Sequence, residues 1–190
     1  MIVITQAGFS EQTITKSRFI AMALPCADER EVGAALRAFA SQHPTAHHLA
    51  YAFRLKTAEG IVSRFSDAGE PSGTAGMPVL KLIEGRDLIN VCVAVIRYYG
   101  GVNLGTGGLA RAYGGTAKLA LDAAKTCEFV EMRHYALTIT YQQMDRMVSS
   151  LAKCNGSIIS KAFNEQIDLV LSLPVVEAAN FLNRFKPYGE

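Results

Sequence analysis

The pattern of apolar and polar positions from Ile14 to Leu24 (ITKSRFIAMAL) alternates well enough for a strand or a kinked pair of strands. Asp28 follows as a helix cap, with Glu31 three residues on in capping-box spacing. Val32, Ala35, Leu36, Phe39 and Ala40 then recur at helical intervals until Pro44 closes the run. His48–Leu55 and Gly60–Phe65 read as two strands joined by a turn around Ala58-Glu59-Gly60. A short helix over Pro78–Ile83 is expected, with Thr74 as its cap and Pro78 in the first turn. Asn90–Tyr99 is a β-rich run that breaks into a glycine loop, and Gly107–Lys125 reads as the second main helix. Leu109, Ala112, Tyr113, Thr116 and Ala120 share one face of that helix. Gly114-Gly115 weakens it, which predicts close packing there against another backbone.

The character changes near Glu131. Beyond it the pattern predicts a strand at ALTITY, a helix over Met144–Lys153 and strands over Ser157–Ala162 and Ile167–Leu173. A helix over Val175–Phe185 follows, and Asn155-Gly156 supplies a turn. This βαββα order suits a small sheet with helices on one face. The chain therefore divides into residues 1–131 and a smaller module over residues 132–190, and the fold class is α+β.

Composition narrows the function. Nearly half of the 190 residues are apolar (49%), enough for a core. A net charge of +2 excludes holding nucleic acid by bulk charge alone, so any RNA contact must come from a shaped local patch. No run approaches the ~20 apolar residues that span a bilayer, so no membrane partner is expected. The start MIVITQAGFSEQ lacks a secretory pattern, and Cys26, Cys92, Cys127 and Cys154 are scattered. Both points imply reduced thiols and a cytoplasmic setting.

The chemistry concentrates in VAVIRYYGGVNLGTGGLARAYGG, where seven glycines fall within positions 100–115. Backbone N–H groups at Gly105, Thr106, Gly107 and Gly108, opening a helix, form a concavity for an anion. Arg97 and Arg111 are candidates for charge-assisted bonds to phosphate, Tyr98 or Tyr99 for stacking, and Gly100 and Gly101 let a ligand or another segment of the chain approach. No GK[ST] or GxGxxG fingerprint is present. FSDAGEPSGTAG is a second candidate loop. Its Asp67, Glu70 and Ser72 are possible cleft groups, although satisfying loop and helix N–H groups is the favoured role for the carboxylates. In HPTAHH, His43 and His47 are four apart, but Pro44 breaks the helix a metal site needs, so no metal is assigned. His47 and His48 stay as cleft groups. Lys16 and Arg18 lie beside Phe19 as candidate contacts to a nucleic-acid backbone, and an ordinary exposed strand edge explains them nearly as well.

KSRFI, HPTAHH, FSDAGEPSGTAG and VIRYYGGVNLGTGGLARAYGG together resemble the YigZ/IMPACT family, in order through the first domain. YQQMDRMVSSLAKCNGSIISKAF resembles the C-terminal domain of its bacterial branch. The resemblance implies an N-terminal left-handed βαβ-type domain like domain IV of elongation factor G. General topology favours the opposite hand. It also implies a ferredoxin-like C-terminal domain, here expected to lack its closing strand after Phe185. For function it implies translation regulation: the eukaryotic branch restrains a stress kinase of initiation by competing for its activator protein. The reading is a non-catalytic regulator that contacts RNA, the ribosome or a translation factor, with no cofactor. The competing reading is an enzyme acting on a phosphorylated small molecule or nucleotide with Mg²⁺, using Asp67 or Glu70 as base or metal ligand.

Overall fold

The structure, a computed structural model, describes residues 1–185. It divides into a unit of Met1–Phe129 and a second that begins at Val130. In the first unit β1 is Ile2–Gln6, β2 Gly8–Ile14, β3 Ser17–Pro25, β4 His48–Lys56, β5 Ile61–Ser66, β6 Val91–Tyr98 and β7 Lys125–Glu128. Three helices accompany them: α1 Glu29–Gln42, α2 Gly76–Gly85 and α3 Gly105–Ala123. Five strands form one sheet in the order β2-β3-β6-β4-β5, with every neighbouring pair antiparallel. β1 and β7 form a separate antiparallel pair.

β6 lies at the centre and is covered on both faces, which is why VCVAVIR reads as a nearly unbroken apolar run. On one face Phe19, Ala21, Ala23, Ala50, Ala52, Val91, Val93 and Val95 pack against α2 and α3. The four alanines are fully buried, and their small size lets both helices sit close to the sheet. On the other face Ile20, Met22, Ala94 and Ile96 meet Phe39 of α1, and Cys92, Phe53 and Leu55 meet Val32. The α1 cap forms as expected: Asp28 accepts from the Glu31 N–H at 2.8 Å and Glu31 accepts from the Ala27 N–H at 2.7 Å.

Two local expectations are corrected. Thr74 does not cap α2; its hydroxyl donates to the Pro71 carbonyl, and the cap comes from Asp67 instead. Gly114 and Gly115 do not mark a close backbone approach, since a Cβ there would meet only Pro78 at 3.6 Å and the Gln12 amide at 3.5 Å. Close approaches of backbone occur at Gly8, where a Cβ would lie 2.0 Å from the Ala120 carbonyl oxygen of α3, and at Gly100, where it would lie 2.0 Å from the Lys16 carbonyl oxygen. The pattern of apolar positions does not predict β1, β2 before Ile14, or the short β7. Their residues are mixed in polarity and draw their stability from pairing rather than from a clean alternation.

The second unit holds β8 (Met132–Ile139), a single 3-10 turn, α4 (Met144–Lys153), β9 (Ser157–Phe163), β10 (Ile167–Pro174) and α5 (Val175–Asn183). Its antiparallel sheet runs β8-β10-β9, and Leu137, Ile139, Leu169, Leu171 and Leu173 pack beneath Met147, Leu151 and Phe181. The closing strand at issue after Phe185 lies outside the described residues.

The contrast between glycines is testable. Gly100→Ala is expected to destabilise the protein by about 2–3 kcal/mol through overpacking against the hairpin backbone. Gly114→Ala is expected to stabilise it by roughly 0.5–1 kcal/mol through helix propensity. Urea unfolding of the two variants measures both, and equal effects would contradict the packing described.

Candidate functional site

β2 and β3 are joined by Thr15-Lys16, both at positive φ (46° and 66°). That is the mirror-image two-residue turn that matches the twist of a hairpin. The turn presses on Gly100, so the exposed Lys16 stands beside the glycine loop that follows β6. Gly101 and Gly105 adopt positive φ (81° and 69°), a conformation that favours glycine, and carry the chain from the strand into α3. α3 starts after Leu104 with no side-chain cap, and Gly105, Thr106 and Gly107 are exposed there while Gly108 is half-buried. Arg111 is exposed, and its guanidinium folds back along the first turn, 3.4 Å from where a Cβ on Gly107 would be.

Arg97 does not join this exposed group. It continues the Val91-Val93-Val95 row on the α2/α3 face, and its side chain is only 5% exposed. Nη1 donates to Glu70 Oε1 at 2.7 Å, Nη2 donates to Ser17 Oγ at 3.3 Å, and the guanidinium lies 5.5 Å over Phe19 and 5.1 Å over Tyr99. Its Nε is buried without a hydrogen-bond partner. The arginine expected to face a phosphate is therefore turned inward, because a carboxylate from the second candidate loop neutralises it first.

Glu70 arrives by way of a loop that Asp67 organises. Asp67 Oδ1 accepts from the N–H groups of Ala75 and Gly76, at 2.9 and 2.8 Å, and Oδ2 accepts from Gly73 at 2.8 Å. Burial works against the Asp67 charge, but N–H groups from Gly73, Ala75, Gly76 and Met77 outweigh it and hold the carboxyl below its usual range. Tyr113 of α3 donates its hydroxyl to the same Glu70 oxygen at 2.8 Å. Desolvation first, then the Glu70 carboxylate, pushes that phenol well above its ordinary value, so it remains a donor.

The histidines take different positions. His48 lies opposite Arg97 in the β4–β6 register. Its Nδ1 is 2.8 Å from the Ala68 carbonyl, which can only accept, so Nδ1 carries a proton. Nε2 then faces Glu70 Oε1 at 3.9 Å, an ion pair only if the ring is doubly protonated. His47 Nδ1 accepts from the Tyr99 N–H at 3.2 Å, which places its proton on Nε2. His43 Nδ1 meets the Tyr98 hydroxyl at 2.9 Å. Among the described residues no group of three or more His, Cys, Asp or Glu is arranged to hold a metal.

Of the remaining candidates, Arg18 makes a two-point contact with Glu11 (2.6 and 2.9 Å) and lies 5.6 Å over the Tyr98 ring. β3 is an inner strand rather than an edge. Tyr98 is half-buried, Tyr99 exposed, and Ser72 exposed in its loop. Ser17 and Tyr113 escaped the sequence reading as site residues. Ser17 is fully buried and takes two donors, Arg97 Nη2 and the Gly100 N–H at 3.2 Å. The available signal for Tyr113 was a tyrosine on the apolar stripe of a helix, whose hydroxyl must find a partner.

Five residues that are far apart in sequence, Ser17, His48, Glu70, Arg97 and Tyr113, are thus brought to one place. All five fall within residues 15–121, the span matched by the Impact N-terminal domain. The chain belongs to the IMPACT family. This family member is 34% identical to the IMPACT family member YigZ of Escherichia coli (strain K12) over 171 residues, 90% of this chain and 84% of that one. It is 43% identical to an IMPACT family member of Thermus thermophilus over 161 residues, 85% of this chain and 86% of that one. A solved structure, described as the crystal structure of an hypothetical protein, superposes with a TM-score of 0.71. Its identity is 32%, over 96% of this chain and 89% of the other. No helix among the described residues of this IMPACT-family chain is long and apolar enough to cross a membrane.

Two outcomes are expected. Glu70→Ala strands a buried guanidinium and should cost about 3–5 kcal/mol in urea unfolding, whereas the double change Glu70→Leu with Arg97→Met should recover most of it. Asp67→Ala should cost about 1–2 kcal/mol near neutral pH. Because the folded-state pKa of Asp67 is depressed, its contribution is present above the unfolded value of about 3.9 and is lost as pH falls through the folded value. The gap between wild type and Asp67→Ala should therefore narrow on acidification below about pH 4. A gap constant down to the lowest pH at which both fold would contradict that assignment.

Proposed function

We propose that this IMPACT-family chain is a non-catalytic cytoplasmic regulator of translation that contacts RNA or the translation apparatus. The surface used is the glycine-rich start of α3 with Lys16 and Arg111 beside it. The observation that carries the reading is electrostatic. α3 begins with three exposed residues and no side-chain cap, and two cations flank that end with no acidic partner among the described residues. Positive charge at a helix N-terminus is unfavourable by about 0.3–1 kcal/mol, and an incoming phosphate would reverse the sign of that interaction. Family membership supplies the translation context.

The finer fold assignments belong to the same reading. β3 and β4 both pair antiparallel with β6, which lies between them, so β3-α1-β4 is a split βαβ unit. That supports likeness to domain IV of elongation factor G. The order β8-β10-β9 around α4 and α5 supports a ferredoxin-like second domain. The Mg²⁺-dependent alternative is weaker because both of its carboxylates have other duties. Asp67 caps α2 with Oδ1 and holds the Gly73 N–H of its own loop with Oδ2, and Glu70 neutralises Arg97.

Sedimentation with ribosomes over a salt series tests the proposal. Lys16→Ala with Arg111→Ala should weaken association and lower the magnitude of the log–log salt slope by roughly 1.4, two single-strand phosphate contacts. Identical slopes for wild type and the double variant would overturn it.

A further inference from the structure

We infer that Tyr99 is a preset platform for stacking one unpaired base of single-stranded RNA; the inference rests on the RNA-contact reading above and names its ligand class. Tyr99 follows β6 and is 39% exposed, yet it is held at four points. Its N–H donates to His47 Nδ1 at 3.2 Å, and its hydroxyl donates to Asn103 Oδ1 at 3.0 Å. The buried Arg97 guanidinium lies 5.1 Å from the ring centroid, and the His47 ring meets it edge-on at 6.4 Å and 75°. Arg97 takes one face of the ring, so the face left to solvent is the opposite one.

A surface tyrosine with a satisfied hydroxyl, a satisfied amide and a bare ring face gains nothing further from water. A ring already fixed loses little rotamer freedom when something lies on it, which is the condition for efficient recognition. The cation behind the ring adds to its attraction for an aromatic partner, as in arginine–aromatic–base stacks. The partner must be flat, aromatic and joined to negative charge, because the glycine loop that follows Tyr99 packs at Gly100 against the turn that bears Lys16 and runs into the exposed start of α3, where Arg111 lies beside Gly107. A nucleobase with its phosphate meets all three conditions. The base must be unpaired, since duplex bases already cover each other's faces. Recognition is tolerant of sequence because every base has such a face.

Tyr98 cannot serve in this role. It is half-buried against the α1 face, its hydroxyl meets His43 Nδ1, and Arg18 lies over its ring. The last residue of β6 and the one that follows it thus divide the work, Tyr98 turned to the core and Tyr99 to solvent.

Fluorescence anisotropy with a labelled ten-nucleotide oligo(A) RNA and a blunt RNA duplex tests the inference on the full chain. Tyr99→Ala and Tyr99→Leu should weaken oligo(A) binding by roughly 5- to 150-fold without changing its salt slope, and Tyr99→Phe should stay within about twofold of wild type. The leucine still covers Arg97, so a wild-type urea midpoint for Tyr99→Leu separates lost stacking from lost folding. Wild-type affinity in Tyr99→Leu, together with a flattened salt slope in Lys16→Ala/Arg111→Ala, would overturn the platform while leaving the RNA-contact reading intact. Duplex binding as tight as oligo(A) binding would overturn the requirement for an unpaired base. Failure of the wild-type chain to bind either RNA would sink the underlying reading itself.

Discussion

A guanidinium withdrawn from water at the end of the central strand must be met by an anion, and in this chain the anion comes from 27 residues away in sequence. Moving either charge into the interior alone would be costly, so the Arg97–Glu70 pair forms as a unit or not at all. Much of the local structure follows from that constraint. The loop after β5 has to cross β4 to deliver Glu70, and Asp67 holds it in that path while capping α2. α3 has to present Tyr113, and the β2–β3 hairpin has to present Ser17. The network thereby ties two helices and three strands together at the point where the glycine loop begins. The unpaired Arg97 Nε shows that the site is not optimised for stability alone, since a buried donor without a partner costs about 1–3 kcal/mol.

The same pairing separates two populations of charge. Arg97 is consumed internally and Arg18 is matched by Glu11, whereas Lys16 and Arg111 are left facing solvent at a helix start that already carries positive potential. With a net charge of only +2, the chain relies on placement of charge rather than its amount. Arg97 still acts on the outer surface, but indirectly, through the ring that covers it.

The elements that read clearly from sequence are those whose stability is local or whose face is unambiguous. α1 announced itself through Asp28 and Glu31, β6 through an unbroken apolar run, and the second unit through clean switches between periods of two and 3.6. β1 and β7 were not legible because each pairs with the other across most of the first unit, and β2 because Phe9 faces solvent while Ser10 and Gln12 are half-buried, so polarity does not follow the pleat. The site was half legible. Glycine density identified the loop, and FSDAGEPSGTAG identified its neighbour, but nothing in one dimension showed that Glu70 and Arg97 would consume each other. Residue type suggested that Arg97 would bind a ligand; the β-sheet parity that places it in line with Val95 decided otherwise.

The pairing of β1 with β7 has a consequence for how the chain is made. Ile2 also bonds through its backbone to Asp87 and Ile89, but the strand partner of β1 comes only with the last residues of the first unit, where Ile2 finds Glu128 and Val3 finds Cys127. Closing so long a span is entropically expensive and contributes nothing until its final residues arrive. The β1–β7 clasp is therefore the pairing that completes the first unit last.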